Sequence, residues 1–379
     1  MRVGNGIDLL GTITRVVPER NPPASDRSRL RTFLIIKLSS IGDVAHALPV
    51  ASALRQRFPS ARISWVAEEW TAPLVIGHPA VDRVIVCPTM VRWPAPTGPW
   101  LRQLRGAIRE LRSERYDVAL DLQGLARSAA VAALSRASLR IARAGQREGS
   151  HLVSYGVPLP QRSLHAVDEY LHVAASLGAS AEHVAFNLPV GEEARHSVAS
   201  LLATHGLDAD VRPIVVNPSS VQRWKRWSPA SWAMVIDALG TIGPVVLMGI
   251  GSDRRANAEI AHRAARTPID LTGQTTLAEA VALLDRALLH LAPDTGTVHI
   301  AAALGTPVVC VYGPTEPRRV GPYGQAAGVV HHRDRCGTWC PAYCRRSRAC
   351  LDAVTPAEVI ARAQEVLTTS CVNISGGLS

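Results

Sequence analysis

Three short stretches of this 379-residue chain gather side chains that could do chemistry. The first is Lys37-Leu-Ser39-Ser40-Ile-Gly42-Asp43-Val44, where an apolar run ends, a glycine permits a tight turn and a carboxylate enters the first turn of an expected helix. The second is Asn217-Pro-Ser219-Ser220-Val-Gln-Arg223-Trp224-Lys225-Arg226-Trp227, which sets hydroxyls and cations directly after another apolar run. Such a loop suits a diphosphate, because charge and hydrogen-bond donors converge on acceptor oxygens. The third is Ala292-Pro-Asp294-Thr295-Gly296-Thr297-Val-His299, whose free amides at Thr295 and Gly296 lie where a helix N-terminus binds an anion. Each residue has a plainer use alone: Asp43 as an acid beside a helix dipole, Asp294 as an N-cap, His299 as a semi-buried histidine. Together they outline a nucleoside diphosphate held by one half of the chain and facing a carboxylate from the other. That pattern fits glycosyl transfer, in which an acceptor hydroxyl is deprotonated while a nucleoside diphosphate leaves. The Walker order of glycines, lysine and hydroxyl is absent, and Gly249-Ile-Gly251 does not complete a dinucleotide fingerprint.

Lysine usage points to the same loops. Of 41 basic residues only Lys37 and Lys225 are lysines, and both fall at strand-to-helix junctions. Where arginine has otherwise replaced lysine, the two positions that keep a compact ammonium are expected to need one.

The elements that must position these loops follow from hydrophobic periodicity. In the first half, strands are expected at 33–38, 62–67, 83–87, 118–122 and 139–142, with helices at 44–58, 101–115, 126–134 and 167–177. Residues 187–193 read as a linker. In the second half, strands are expected at 214–217, 245–249, 288–292, 308–312 and, more weakly, 329–331. Helices fit 229–239, 254–265, 277–286, 298–304 and 356–367, the last N-capped by Thr355. This alternation predicts an α/β chain: two doubly wound domains, each a parallel sheet covered on both faces, meeting at a common cleft with ligands at the carboxyl ends of the strands. The expected division is 31–190 and 191–379, after an N-terminal extension of residues 1–30. That extension fails as a signal peptide, because its apolar part is short and carries Asp8, so a cytoplasmic protein is expected.

A hydrophobic share of 47% with 19% charged residues describes a soluble globular chain, and no apolar run approaches the roughly 18 residues of a spanning helix. The net charge of +10 suggests an anionic partner. Much of it lies between Arg92 and Arg147, where eleven arginines meet four acids. Arg102, Arg105, Arg109 and Arg112 recur there at helical spacing, as one basic stripe or an ordinary solvated face. With aromatics of only 4% and no zinc-finger, RNA-recognition or basic-zipper motif, nucleic acid fits the charge less well than a phosphorylated glycolipid or an anionic membrane surface. A transferase with another sugar or acceptor and a non-catalytic anion- or nucleic-acid-binding protein are the alternative readings. Cys336, Cys340, Cys344 and Cys350 cluster without a standard zinc spacing, so a cysteine-rich loop held by packing is expected and no metal site is assigned.

With these motifs in hand, the chain resembles the heptosyltransferases of glycosyltransferase family nine from about Arg31 through Tyr323. The resemblance is carried by Ile36-Lys37-Leu-Ser-Ser-Ile-Gly-Asp43-Val-Ala-His-Ala-Leu-Pro49, Asp121-Leu-Gln123-Gly124-Leu-Ala-Arg127-Ser, His165-Ala-Val-Asp168, Asp294-Thr-Gly296-Thr-Val-His299 and Val311-Tyr-Gly-Pro-Thr-Glu-Pro317. Val66-Ala-Glu-Glu69 and Val91-Arg92-Trp93 are more similar to the heptosyltransferase I branch, which adds the first heptose to Kdo of lipid A. The resemblance implies a GT-B fold, an ADP-heptose donor, inversion at the anomeric carbon and no required metal or cofactor. It implies Asp43 as general base, Lys225 and the Thr295 and Gly296 amides on the diphosphate, Asp294 on the heptose hydroxyls and His299 close by. Ser219 and Ser220 stand near the family's phosphate-contacting threonines in a loop one residue longer. Arg92, Asp121, Gln123 and Arg127 would face an anionic glycolipid acceptor, reached by peripheral contact with the cytoplasmic face of the inner membrane.

Overall fold

The first apolar run becomes Thr32–Ile36 (β1), whose last four residues are buried, as a strand covered on both faces must be. It opens a series running α1 (Ile41–Arg57), β2 (Arg62–Glu68), β3 (Arg83–Cys87), α2 (Gly98–Leu111), β4 (Val118–Asp121), α3 (Ala126–Leu134), β5 (Leu139–Ala142), β6 (Tyr155–Gly156) and α4 (Ala166–Ala175). The strands form one sheet in the order β3-β2-β1-β4-β5-β6. The second series is α5 (Glu192–Ala203), β7 (Ile214–Val216), α6 (Pro229–Leu239), β8 (Val245–Leu247), α7 (Arg254–Arg263), β9 (Ile269–Asp270), α8 (Leu277–Arg286), β10 (Leu289–Pro293), α9 (Gly296–Leu304), β11 (Val308–Tyr312), α10 (Pro317–Val320), β12 (Val329–His331), α11 (Ala349–Asp352) and α12 (Pro356–Ser375). Its sheet runs β12-β11-β10-β7-β8-β9. Every strand pairing in both sheets is parallel. The computed structural model describes residues 29–89, 97–160, 164–180, 182–336 and 349–375. The N-terminal extension through residue 28, Arg92, Cys340, Cys344 and the side chain of Cys336 lie outside the described residues.

Both sheets share one winding: the first strand of each series lies inside, and the chain steps outward on one side before returning to the other. Strand order therefore reverses between β1 and β4 and between β7 and β10. A crevice opens beyond the carboxyl ends of the strands at each such reversal. The loops after β1, β4, β7 and β10 carry the Asp43, Asp121–Arg127, Ser219–Lys225 and Asp294–His299 groups respectively. Topology alone thus brings all four motifs to the two crevices.

The differences from the sequence expectation have identifiable causes. β6 and β9 are two residues each, too short for a hydrophobic pattern. α5 begins inside the expected linker and buries only Ala194, Val198 and Leu202, one residue per turn. α1 starts at Ile41, with Ser40 as N-cap, not at Val44. Gly42 is consequently a helical residue, not a turn residue. The Thr355 cap of α12 forms as expected: its Oγ1 and N both donate to Glu358 Oε2 at 2.8 Å.

Candidate functional site

The loop after β1 is built around a buried cation. Lys37 is 2% exposed and donates from Nζ to Tyr170 Oη at 2.9 Å and to the Leu122 carbonyl at 3.3 Å, over the Tyr170 ring. Three residues further, Ser40 caps α1 and donates from Oγ to Asp43 Oδ2 at 2.9 Å. Burial raises the Asp43 carboxyl, but the Lys37 charge, the Ser40 hydrogen bonds and His299 outweigh it and hold the pKa below the ordinary aspartate value. Asp43 is therefore ionised throughout the neutral range.

Neighbouring loops brace this one. Gln123 Oε1 accepts from the Ser39 amide at 3.3 Å. Arg127 donates to Ser39 Oγ at 2.7 Å and to Glu68 Oε1 at 2.9 Å, and Glu68 is fully buried. Asp121 accepts from the Gln123 and Gly124 amides on Oδ1 and from Ser128 on Oδ2. With no exposed surface, Asp121 has no oxygen to offer a ligand, and its carboxyl is raised by burial despite those bonds. The group expected on an acceptor is thus employed inward, holding Ser39, and through it Ser40 and Asp43, in place.

In the second half, the carboxyl ends of β7 and β10 are tied by a continuous chain. Asn217 donates to Thr297 Oγ1 at 3.2 Å; Thr297 Oγ1 lies 3.0 Å from His290 Nε2, and His290 Nδ1 lies 3.0 Å from the Val215 carbonyl. The last contact requires a proton on Nδ1, so Nε2 accepts from the threonine. Burial pushes His290 down to about 4, which keeps it neutral and the chain intact. Ser219 and Ser220 are buried, the latter donating to the Asp294 carbonyl at 3.2 Å. Lys225 Nζ lies 2.6 Å from Asp294 Oδ2, a close ion pair at the mouth of this crevice. α9 begins one residue beyond Thr295, its N-cap, and Thr295 and Gly296 stay partly exposed with their amides at the helix start.

The two halves meet at helix ends. A Cβ added to Gly42 would stand 2.4 Å from His299 Cδ2, and one on Gly296 would stand 2.8 Å from Ile41 Cγ2. Only glycine at both positions lets the N-termini of α1 and α9 approach this closely. Across the same contact His46 Nε2 lies 3.0 Å from His299 Nδ1. Beside it His165 Nε2 reaches the Gly321 carbonyl at 3.0 Å, and Tyr323 donates to Asp168 at 2.7 Å. His299 is held down to about 4, by burial foremost, while Asp294 and Asp43 pull upward and Lys225 downward. One imidazole thus senses the carboxylate of the first half and both members of the ion pair in the second.

The structure accordingly gathers Asp43, Lys225, Asp294, Thr295, Gly296 and His299, with Ser219 and Ser220 behind them. It sets Asp121, Gln123 and Arg127 in a supporting layer. His46, His165, Glu68, Tyr170 and His290 complete the arrangement: the first three lie within the quoted motifs without having been assigned a task, and Tyr170 and His290 lie outside them. Among the described residues, no group of three or more His, Cys, Asp or Glu is placed to hold a metal ion.

Comparison with known proteins identifies the family. The chain is 30% identical over 312 residues to lipopolysaccharide heptosyltransferase 1 of Escherichia coli strain K12, spanning 77% of the chain and 91% of that protein. It is 30% identical over 318 residues to the same-named protein of Pseudomonas aeruginosa, spanning 77% and 81%. Its fold superposes on Escherichia coli heptosyltransferase WaaC solved with ADP at a TM-score of 0.70, with 25% identity and coverage of 88% and 99%. The glycosyl transferase family 9 protein of Veillonella parvula shares the fold at a TM-score of 0.76, with 23% identity and coverage of 89% and 97%. Residues 104–345 match the profile of glycosyltransferase family 9 (heptosyltransferase), and with that match the chain belongs to this family of enzymes.

Proposed function

We propose that the protein is an inverting glycosyltransferase that moves heptose from ADP-heptose to a Kdo-containing lipid A acceptor in lipopolysaccharide core synthesis. The observation that supports this most is the meeting of an ionised carboxylate, Asp43, with an anion-ready helix end and the Lys225–Asp294 pair around one neutral imidazole. Residues 31–190 bind the acceptor and residues 191–379 the nucleotide sugar. Asp43 takes the proton of the acceptor hydroxyl, whose oxygen bonds to the anomeric carbon as the bond to the diphosphate breaks. The electron pair leaves on the diphosphate, where Lys225, the Thr295 and Gly296 amides and the Ser219 and Ser220 loop offset its charge. Asp294 turns from Lys225 to the heptose hydroxyls. Gln123 and Arg127 serve the acceptor side through the loop they brace, and Arg92 is assigned there from the sequence alone. The donor assignment draws on WaaC, which was solved with ADP and with ADP-2-deoxy-2-fluoro heptose. Offering ADP-, UDP- and GDP-sugars to the purified protein with Kdo-lipid A tests it: nucleoside diphosphate release from ADP-heptose alone is expected, and turnover of a UDP- or GDP-sugar in its place would overturn it.

Lys37 acts on the base from a distance. A depressed carboxyl keeps its base form until pH falls through its own pKa, so the acid limb of kcat/KM lies below the ordinary aspartate range. Lys37→Met removes the largest of the lowering influences and leaves burial acting against Ser40 and His299. The limb is expected to move to higher pH, toward the neutral range, and an unmoved limb would discard this role.

No described helix is long and apolar enough to cross a membrane. Approach to a lipid acceptor therefore falls to the surface, and α2 offers one: Arg102, Arg105, Arg109 and its C-capping Arg112 are all exposed. At about 1 kcal/mol per arginine near an anionic surface, changing Arg102, Arg105 and Arg109 together to Gln is expected to weaken binding to phosphatidylglycerol vesicles roughly 100-fold. Equal binding to phosphatidylcholine vesicles by the unaltered protein would remove the membrane-facing role.

A further inference from the structure

The contact between His46 and His299 fixes which nitrogen of His299 carries its proton. Both rings are buried and held neutral, so each has one N–H, and their facing nitrogens, 3.0 Å apart, must be one donor and one acceptor. Two arrangements satisfy that contact. If His299 donates, the proton of His46 must lie on Nδ1, which is buried without a partner, and His299 keeps a bare lone pair on Nε2 in a ring that Asp43 and Asp294 both act on. A buried orphan N–H costs about 1–3 kcal/mol. If His46 donates, the orphan is only a lone pair, and His299 carries its N–H on Nε2. The other charged or titratable neighbours, Lys37, Lys225 and His165, lower the affinity of these rings for a second proton but do not alter this choice.

We infer that His46 is a positioning residue: its Nε2–H donates to His299 Nδ1, locks His299 in the Nε2–H tautomer, and so presents an N–H donor from the second half of the chain to the diphosphate of the sugar nucleotide. This rests on the reading of the crevice as a nucleoside-diphosphate site. By this route a helix of the first half contributes to donor binding without touching the donor. The relay exists only while α1 and α9 are in contact, which makes the donor site complete only when both halves are assembled around it.

The test uses full-length protein labelled with 15N-histidine. Two-bond 1H–15N correlation spectra of the ligand-free protein are expected to show His299, assigned by loss of its signals in His299→Gln, as the Nε2–H tautomer. His46→Gln, whose amide N–H can stand where Nε2–H stood, is expected to keep that pattern, and His46→Leu to move the unprotonated Nδ1 resonance of His299 downfield as its lone pair loses the donor. In parallel, calorimetric affinity for ADP is expected to fall about 10-fold in His46→Leu and about 2-fold in His46→Gln, as one hydrogen bond of ordinary strength would give. An Nδ1–H tautomer in the unaltered protein, an Nδ1 resonance of His299 indifferent to residue 46, or an ADP affinity indifferent to it would each overturn the proposal. Failure of the unaltered protein to bind ADP at all would instead refute the reading of the site; the tautomer measurement needs no ligand and separates the two.

Discussion

Asp43→Asn is expected to lower kcat by about 1000-fold while leaving ADP affinity within about twofold, since a positioned general base contributes roughly 10²–10⁴ and does not hold the donor. The asparagine suits the test because its amide oxygen can still accept from Ser40, as Asp43 Oδ2 does at 2.9 Å, so the start of α1 survives. What the helix loses is one negative charge near its N-terminus, worth about 0.3–1 kcal/mol, which is at most a few degrees in Tm for a chain of this size. Single-turnover transfer and a thermal melt on the same sample separate the two effects. Near-normal turnover would end the assignment, and a collapse of Tm would show that Asp43 is structural first. The depressed pKa sharpens the mechanism: a carboxylate this weakly basic cannot remove an alcohol proton ahead of bond formation. In the proposed reaction, proton transfer then accompanies attack on the anomeric carbon, when the hydroxyl becomes acidic.

Lys225 carries the second large effect. Lys225→Met is expected to raise KM for the donor by roughly 10- to 150-fold, the range for losing one hydrogen bond to a charged group of about 1.5–3 kcal/mol. It also strands Asp294, a residue only 6% exposed, without its partner at 2.6 Å. Adding Asp294→Asn should therefore recover much of the lost Tm and none of the donor affinity, a dissociation that a purely structural ion pair would not give. Lys225→Arg keeps the charge but replaces a compact ammonium by a planar fork at a close contact, and about a 10-fold rise in KM is expected. Steady-state kinetics on the three variants decide the matter; an unchanged KM in Lys225→Met would make this lysine a lid on Asp294 and nothing more.

Strands and helices with strong local patterns were legible in the sequence. β11, α6 and α8 coincide with their expected bounds, because a buried apolar run or a regular amphipathic stripe with a cap leaves little choice. The three chemical loops were legible too, since each combines an apolar run, small residues and charge in a few positions. Long-range employment was not. Asp121, Gln123 and Arg127 have the composition of a ligand-facing loop, and nothing local distinguishes an arginine bound to Glu68 from one awaiting a phosphate. Gly42 reads as a turn in isolation, and its true constraint, the ring of His299, lies in the other half of the chain. His46 and His299 are 253 residues apart, so their pairing follows from how two sheets assemble and from no sequence pattern.

The glycine contact between α1 and α9 has a mechanical side. At Gly42 and Gly296 there is no side-chain atom left to remove, so the two halves already stand as near as this pair of helix ends allows. Any opening of the cleft that preserves the contact must turn about it, as a door turns about its pin. The strands furthest from the pin in each sheet, β6 and β9, and the loops at the rim then sweep the longest arcs. Asp43, His299 and Gly296, set beside the pin, travel least. For the reaction proposed above, a bulky acceptor would enter at the swinging edge while the distances that govern proton transfer stay nearly constant at the axis.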